Sequence, residues 1–276
     1  MIWERTAAIA ANTFLEAVRQ KFFNALLLLA IALVASARFF QQFDFGAGEL
    51  KFIADFGFGA LFVFGAVLSV FMTAQLFFNE LENRTVQTLL AKPLHRIEFL
   101  VGKWLGGQLV VLVFVFVICF ILSGILWWRE SDLLGRLSVS EVGVTALVRY
   151  SDIFLYGFLQ WVKFGVVSSI TLFIASFSNT NLYTIVVAFF VLLVCQLQYI
   201  ARDAYTATAE GLSRWLLTLI AWVFPNFQLF NVGERMVLLA NDGLPIEVVL
   251  RITTYGVIYM VLFLALALLH FRRRQF

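Results

Sequence analysis

From Phe56 to Phe78, and again from Trp104 to Trp128, the chain carries no charged residue. A helix needs roughly 20 apolar residues to cross the hydrocarbon core of a bilayer, and both runs meet that length. Four further runs have the same apolar character: Phe22–Ala37, Ile153–Phe177, Leu182–Ile200 and Val248–His270. Inside a bilayer every backbone N–H and C=O must be paired within the protein, which leaves only helices and closed barrels. Barrel strands alternate apolar and polar residues over about ten positions. These runs are instead continuous and rich in Leu, Val, Phe and Ala, the helical pattern. The chain has 276 residues, of which 62% are hydrophobic and 13% charged, so lipid rather than water must cover most of its surface. The expected fold is all-α, a polytopic membrane protein with six transmembrane helices. The polar pieces between the runs are too short to fold alone, so residues 1–276 are expected to form one transmembrane domain.

The charges set an orientation. With the N-terminus cytoplasmic, the inner segments 1–21, 79–103, 178–181 and 271–276 hold ten Lys/Arg against five Asp/Glu. The outer segments hold eight against twelve over a greater length, as the positive-inside rule expects. Six crossings return the C-terminus to the cytoplasm, where Arg272, Arg273 and Arg274 form an anchor.

Residues 1–21 read as an interfacial helix, with Trp3, Ala7, Ala10, Phe14, Ala17 and Val18 on one stripe. The competing reading is a secretory leader, since Phe22–Val34 is followed by Ala35-Ser36-Ala37. Glu4 and Glu16 do not suit the basic start of such a leader, so an uncleaved helix is expected. The outer loop Arg129–Asp152 is expected to be a solvated connector, and Ser178–Asn181 a turn. In the outer-face segment 201–247, Trp215–Phe224 is too short to span and is closed by Pro225. An interfacial or re-entrant helix is expected there.

Between the two uncharged runs lies a polar island, residues 79–103. Asn79 is placed to cap a new helix, with Glu82 completing a capping box and Glu80 beside it at the positive end of the dipole. Leu81, Thr85 and Leu89 share one side. Pro93 forces Lys92 out of helical geometry, and His95, Arg96 and Glu98 open a second helix that runs through Gly102-Lys103 into the next span. A solvated loop would not need a cap, an apolar edge and a fixed stop, so the island reads as a docking element.

This order of residues resembles the signature segment of type-2 ABC transporter permeases: Glu80 and Glu82, Thr85, Leu89 and Leu90, Pro93 with Arg96, then Gly102-Lys103. Many members have Gly where this chain has Arg84, but an Arg-Thr pair occurs in one branch, and the layout is shared by lipid, peptide, drug and polysaccharide exporters as well as by permeases linked to multi-copper enzyme maturation. The surface helix, six spans, outer helical hairpin and basic C-terminus also match. The resemblance implies that residues 79–103 are a cytoplasmic coupling helix docking an ABC ATPase subunit through Glu80, Glu82, Arg84, Thr85, Leu89, Pro93, His95 and Arg96. It further implies a bacterial inner membrane location, pairing with a second permease copy or paralogue, contact with membrane lipid and no nucleic-acid partner. ATP and Mg would bind the partner, and this chain would hold no cofactor and catalyse nothing itself. In agreement, Gly102-Lys103-Trp104 lacks both the upstream glycine and the Ser/Thr of a phosphate-binding loop.

Lys163 stands alone as a charge near the middle of an apolar run, where charges are costly and face a bundle interior or wet cavity. It is a candidate for the translocation path, able to bind an anion or to pair with a carboxylate such as Asp55. Gln75 and Gln160 are further path candidates, though Gln75, Gln160, Gln196 and Gln198 also suit interhelical hydrogen bonds. Gly102 and Gly106 are spaced for close helix packing. Cys119 and Cys195 read as small core residues, and no metal site is expected. Two alternatives remain open. An ion-driven secondary transporter would centre on Lys163 and work without ATP. An intramembrane enzyme would need a base for Ser168, Ser169 or Ser176.

Overall fold

The computed structural model describes residues 2–37, 49–82, 96–137, 147–206, 223–233, 236–237 and 243–273. Among them the chain forms seven α-helices: α1 (Ile2–Val18), α2 (Lys21–Ser36), α3 (Glu49–Glu82), α4 (Arg96–Leu137), α5 (Tyr150–Phe177), α6 (Asn181–Thr206) and α7 (Ile246–Arg273). A short 3-10 turn occupies Phe227–Phe230.

Helices α3 to α7 each contain a stretch long and apolar enough to cross a membrane, and they contain five of the six expected runs. The sixth differs. Helix α2 has 16 residues, about 24 Å at 1.5 Å per residue, short of the roughly 30 Å hydrocarbon core. It reaches a spanning length only together with α1, from which it is bent by 64°. The described residues therefore give five spans, or six if that bent pair counts as one.

Helix α5 is the centre of the bundle. In its most apolar stretch 83% of residues are buried, against 22% in α7, and it packs on α3, α4, α6 and α7. The sequence explains this. Helix α5 carries Gly157, Gly165, Ser168, Ser169, Thr171, Ala175 and Ser176, small residues that let neighbours approach, which is how helices associate where lipid offers no hydrophobic drive. A Cβ at Gly165 would lie 2.8 Å from Met260 Sδ of α7, and one at Gly157 2.6 Å from Cys119 Sγ of α4. Both cysteines are free and buried, as expected.

Two expectations need correction, the second only in part. Helix α3 does not stop for a cap at Asn79 but continues to Glu82. Nothing in Asn79-Glu80-Leu81-Glu82 breaks a helix, so the preceding span extends. The stripe expected on α1 holds in part: Ala10 and Ala17 are buried and Phe14 and Val18 pack against the core, while Trp3 and Ala7 are exposed. Trp3 is 82% exposed, and the buried positions are Thr6, Ala10, Thr13 and Ala17. These small residues seat α1 on α4, where a Cβ at Gly106 would lie 2.7 Å from the Ala10 carbonyl oxygen and one at Gly102 2.8 Å from Ile9. The two glycines thus do what their spacing predicted.

The bundle has two ends. At one, Lys103 Nζ of α4 lies 3.6 Å from Glu16 of α1, and the chain turns from α5 to α6 through Ser178-Asn179-Thr180. Thr180 caps α6 by accepting from Tyr183 N at 3.4 Å. At the other end α3 begins and α4 finishes. There Arg129 donates to Glu49, and Glu130, 5% exposed, accepts from Val148 N at 2.9 Å, from Leu147 N and from the Tyr150 hydroxyl. The segment expected to be a solvated connector therefore begins as helix and is fixed by a buried carboxylate.

Candidate functional site

Helix α5 carries Lys163 about midway between its ends, and the side chain is only 2% exposed. Its ammonium donates to Gln196 Oε1 of α6 at 3.1 Å. It also lies 4.1 Å from the ring centre of Phe62 on α3 and 5.5 Å from that of Phe227. Ring faces attract a desolvated cation by about 2 kcal/mol. Among the described residues no carboxylate lies within ion-pair distance of this ammonium. Asp55, the partner suggested by sequence, is held by Lys51 at 3.0 Å.

A cavity of about 330 Å³ opens beside the ammonium. Its walls come from α3 (Asp55, Phe58, Gly59, Phe62), α5 (Tyr156, Lys163), α6 (Gln196) and the loop after the 3-10 turn (Asn231, Gly233). That loop is the element sequence reasoning missed. After Pro225 the chain does not stay on the surface. Asn226 accepts from Gln228 N at 2.9 Å to start the turn, and Phe227 and Phe230 are fully buried. Gln160 donates to the Phe230 carbonyl at 3.1 Å and Lys51 to the Gly233 carbonyl at 2.8 Å. The adjacent Phe-x-x-Phe spacing was the available signal, since two phenylalanines on one side of a short turn suit insertion into a core.

The path candidates separate. Gln160 lies one turn from Lys163 on α5 and anchors the inserted loop. Gln75 lies on α3 thirteen positions beyond Phe62, about 20 Å along the axis, and is not in the cavity wall. The serines raised for an enzyme are spoken for. Ser168 accepts from Trp104 Nε1 at 3.0 Å and from Gln108 Nε2, while donating to the Gly165 carbonyl. Ser169 and Ser176 donate to carbonyls of their own helix.

The docking candidates fall at the opposite end. Glu80 and Glu82 lie on the last turn of α3 and Arg96 opens α4. Arg84, Thr85, Leu89, Pro93 and His95 lie outside the described residues, as does Trp215–Trp222 of the segment expected to be interfacial. What the structure shows is the frame. Phe77 and Phe78 of α3, Phe99 and Leu100 of α4, Leu172 and Ala175 of α5, and Ala267 and Phe271 of α7 form one buried cluster beneath the two helix ends. Phe271 lies 5.8 Å from Phe77, edge to face, and 6.3 Å from Phe99, stacked. Gly102 and Lys103 sit inside a continuous helix, so they form no phosphate-binding loop.

Residues 7–276 match the family model described as ABC-2 family transporter protein. No curated protein matches the chain.

Proposed function

This chain belongs to the ABC-2 transporter family, a family of membrane permeases that work with an ABC ATPase, and from that membership we propose a specific division of labour. A separate ATPase docks on residues 80–96, which act as the coupling helix, with α1 lying along the interface beside them. Two permease chains, identical or related, work together in a bacterial inner membrane with both termini cytoplasmic. With α1 on the interface, the run Phe22–Ala37 makes the first of the six crossings this orientation needs, a short span that a bilayer accommodates by thinning. The layout is one that permeases of multi-copper enzyme maturation share with lipid, peptide, drug and polysaccharide exporters, and the Arg84-Thr85 pair does not select among these substrates.

The observation that carries the reading is the aromatic cluster joining the two helix ends that bound the segment. Movement of residues 83–95 by a motor would pull on Glu82 and Arg96. Through Phe77, Phe99 and Phe271 it would then reach α5, the helix bearing Lys163, and α7. A solvated loop needs no such frame.

The test is purification of the tagged chain from native membranes in mild detergent. A soluble ATPase is expected in fixed ratio, and it should be lost when Glu82, Thr85 and Arg96 are replaced by Ala. A chain that purifies alone in every detergent, and transports after ATP depletion, would instead favour the ion-driven transporter.

A further inference from the structure

We propose that the cavity beside Lys163 is a binding site for an anionic group, a carboxylate or phosphate, carried on an apolar body. The proposal depends on the permease reading only for calling that ligand a cargo; the site itself stands on the geometry.

The first argument is charge. Lys163 is nearly inaccessible, and such charges are paired or face a polar cavity. Its polar contact is a neutral amide oxygen and its other neighbours are ring faces. An ammonium has three donors, and Gln196 uses one. Asp55 also lines the cavity, but Lys51 lies 3.0 Å from it. The wall with its rim therefore carries two positive charges against one negative, and attracts anions.

The second argument is the shape and chemistry of the walls. Gln196 gives its oxygen to Lys163, which leaves its NH₂ as the polar group it can offer a ligand, and Asn231 adds a second amide. Phe58 and Phe62 supply the apolar part of the wall. At about 30 Å³ per water, the cavity holds a body of roughly ten heavy atoms, such as an aryl carboxylate or the phosphate portion of a lipid. Gly59 is the third argument. This residue is exposed and a Cβ there would meet no atom within 4 Å, so the cavity has its open mouth on this side, where a large side chain would narrow it.

The test uses the full chain in nanodiscs of phosphatidylcholine, with binding followed by calorimetry and by the thermal midpoint. Four probes are applied: benzoate, inorganic phosphate, benzyltrimethylammonium, and discs doped with phosphatidylglycerol. Saturable binding of benzoate or phosphate is expected for a free anion, and stabilisation by phosphatidylglycerol for a lipid headgroup. Either response should weaken at least about tenfold, roughly 1.4 kcal/mol, in Lys163→Met. Gly59→Leu, which keeps the ammonium but narrows the cavity mouth, should weaken it as well and decides the matter if Lys163→Met does not fold. Binding of the cation alone, no response to any probe, or an anion response unchanged in Gly59→Leu would overturn the proposal. No ATPase is present in this experiment, so its failure would leave the docking reading untouched, and loss of the ATPase in purification would leave this site standing.

Discussion

Arg129 and Glu49 meet through two parallel hydrogen bonds, Nε to Oε1 and Nη2 to Oε2, each 2.7 Å long. The pair ties the end of one span to the start of another across eighty positions of sequence, and the two side chains are only 11% and 10% exposed. Removing one partner of a buried pair strands the other charge, at about 3–5 kcal/mol, whereas replacing both by apolar residues is far milder. Arg129→Leu is therefore expected to lower the thermal midpoint of the full chain in detergent more than Glu49→Leu/Arg129→Leu does. A double variant as damaged as the single one would mean that Glu49 is already solvated and that the pair contributes little.

The contact between α1 and α4 gives a second prediction. At Gly106 any side chain must displace the backbone of Ala10 as well as Thr13, and backbone cannot swing aside. Overpacking of this kind costs about 1–3 kcal/mol. Gly124, on the same helix, has nothing within 4 Å of its Cβ position, so Gly124→Leu should stay within about 0.5 kcal/mol of the parent. Unfolding curves of Gly106→Leu and Gly124→Leu in one detergent compare the two sites directly. Equal midpoints would show that α1 is not seated on these glycines.

The same contact shows why only part of the molecule was legible in sequence. The runs from Phe56, Trp104, Ile153, Leu182 and Val248 were readable because a bilayer demands length and apolarity from each span separately. Lys163 was readable because a charge at such depth has few explanations. The face of α1 was legible only in part, Ala10, Phe14, Ala17 and Val18 packing as expected, because an apolar stripe marks the buried side only where water is the alternative. With lipid outside, Trp3 can face outward while Thr6, Ala10, Thr13 and Ala17 pack, because close approach rather than hydrophobicity selects the interface. Glu49 with Arg129, and Gln160 with Phe230, were out of reach for another reason. Each pair joins elements distant in sequence, and nothing local to either residue names its partner. Asn79 looked like a cap because its residue type favours one, yet α3 continues through it, since packing of the preceding turns outweighs a single propensity.

Ser168 separates a structural role from a chemical one. Its hydroxyl oxygen accepts from Trp104 and Gln108 of α4 and so links two spans. Interhelical hydrogen bonds of this sort average about 0.6 kcal/mol in membrane proteins. Ser168→Ala should therefore cost on the order of 1 kcal/mol in thermal stability while leaving ATPase co-purification and transport intact. Complete loss of transport with the fold preserved would return the intramembrane enzyme to consideration.

Phe271 tests the path from docking segment to bundle. Its ring is 1% exposed and sits between Phe77, near the end of α3, and Phe99, near the start of α4. Truncating a buried Phe to Ala costs about 3–5 kcal/mol, so Phe271→Ala should lower stability sharply. Phe271→Leu keeps most of the volume and loses less, which makes it the variant for function. If the cluster transmits motion, Phe271→Leu should still bring down the ATPase in fixed ratio, yet couple its hydrolysis to transport less tightly. The measurement is ATP hydrolysed per substrate moved in reconstituted vesicles, compared with the parent. An unchanged ratio would place transmission elsewhere, through α1 and its contact at Gly102. Loss of the ATPase altogether would mean that Phe271 shapes the docking surface rather than linking it to α7.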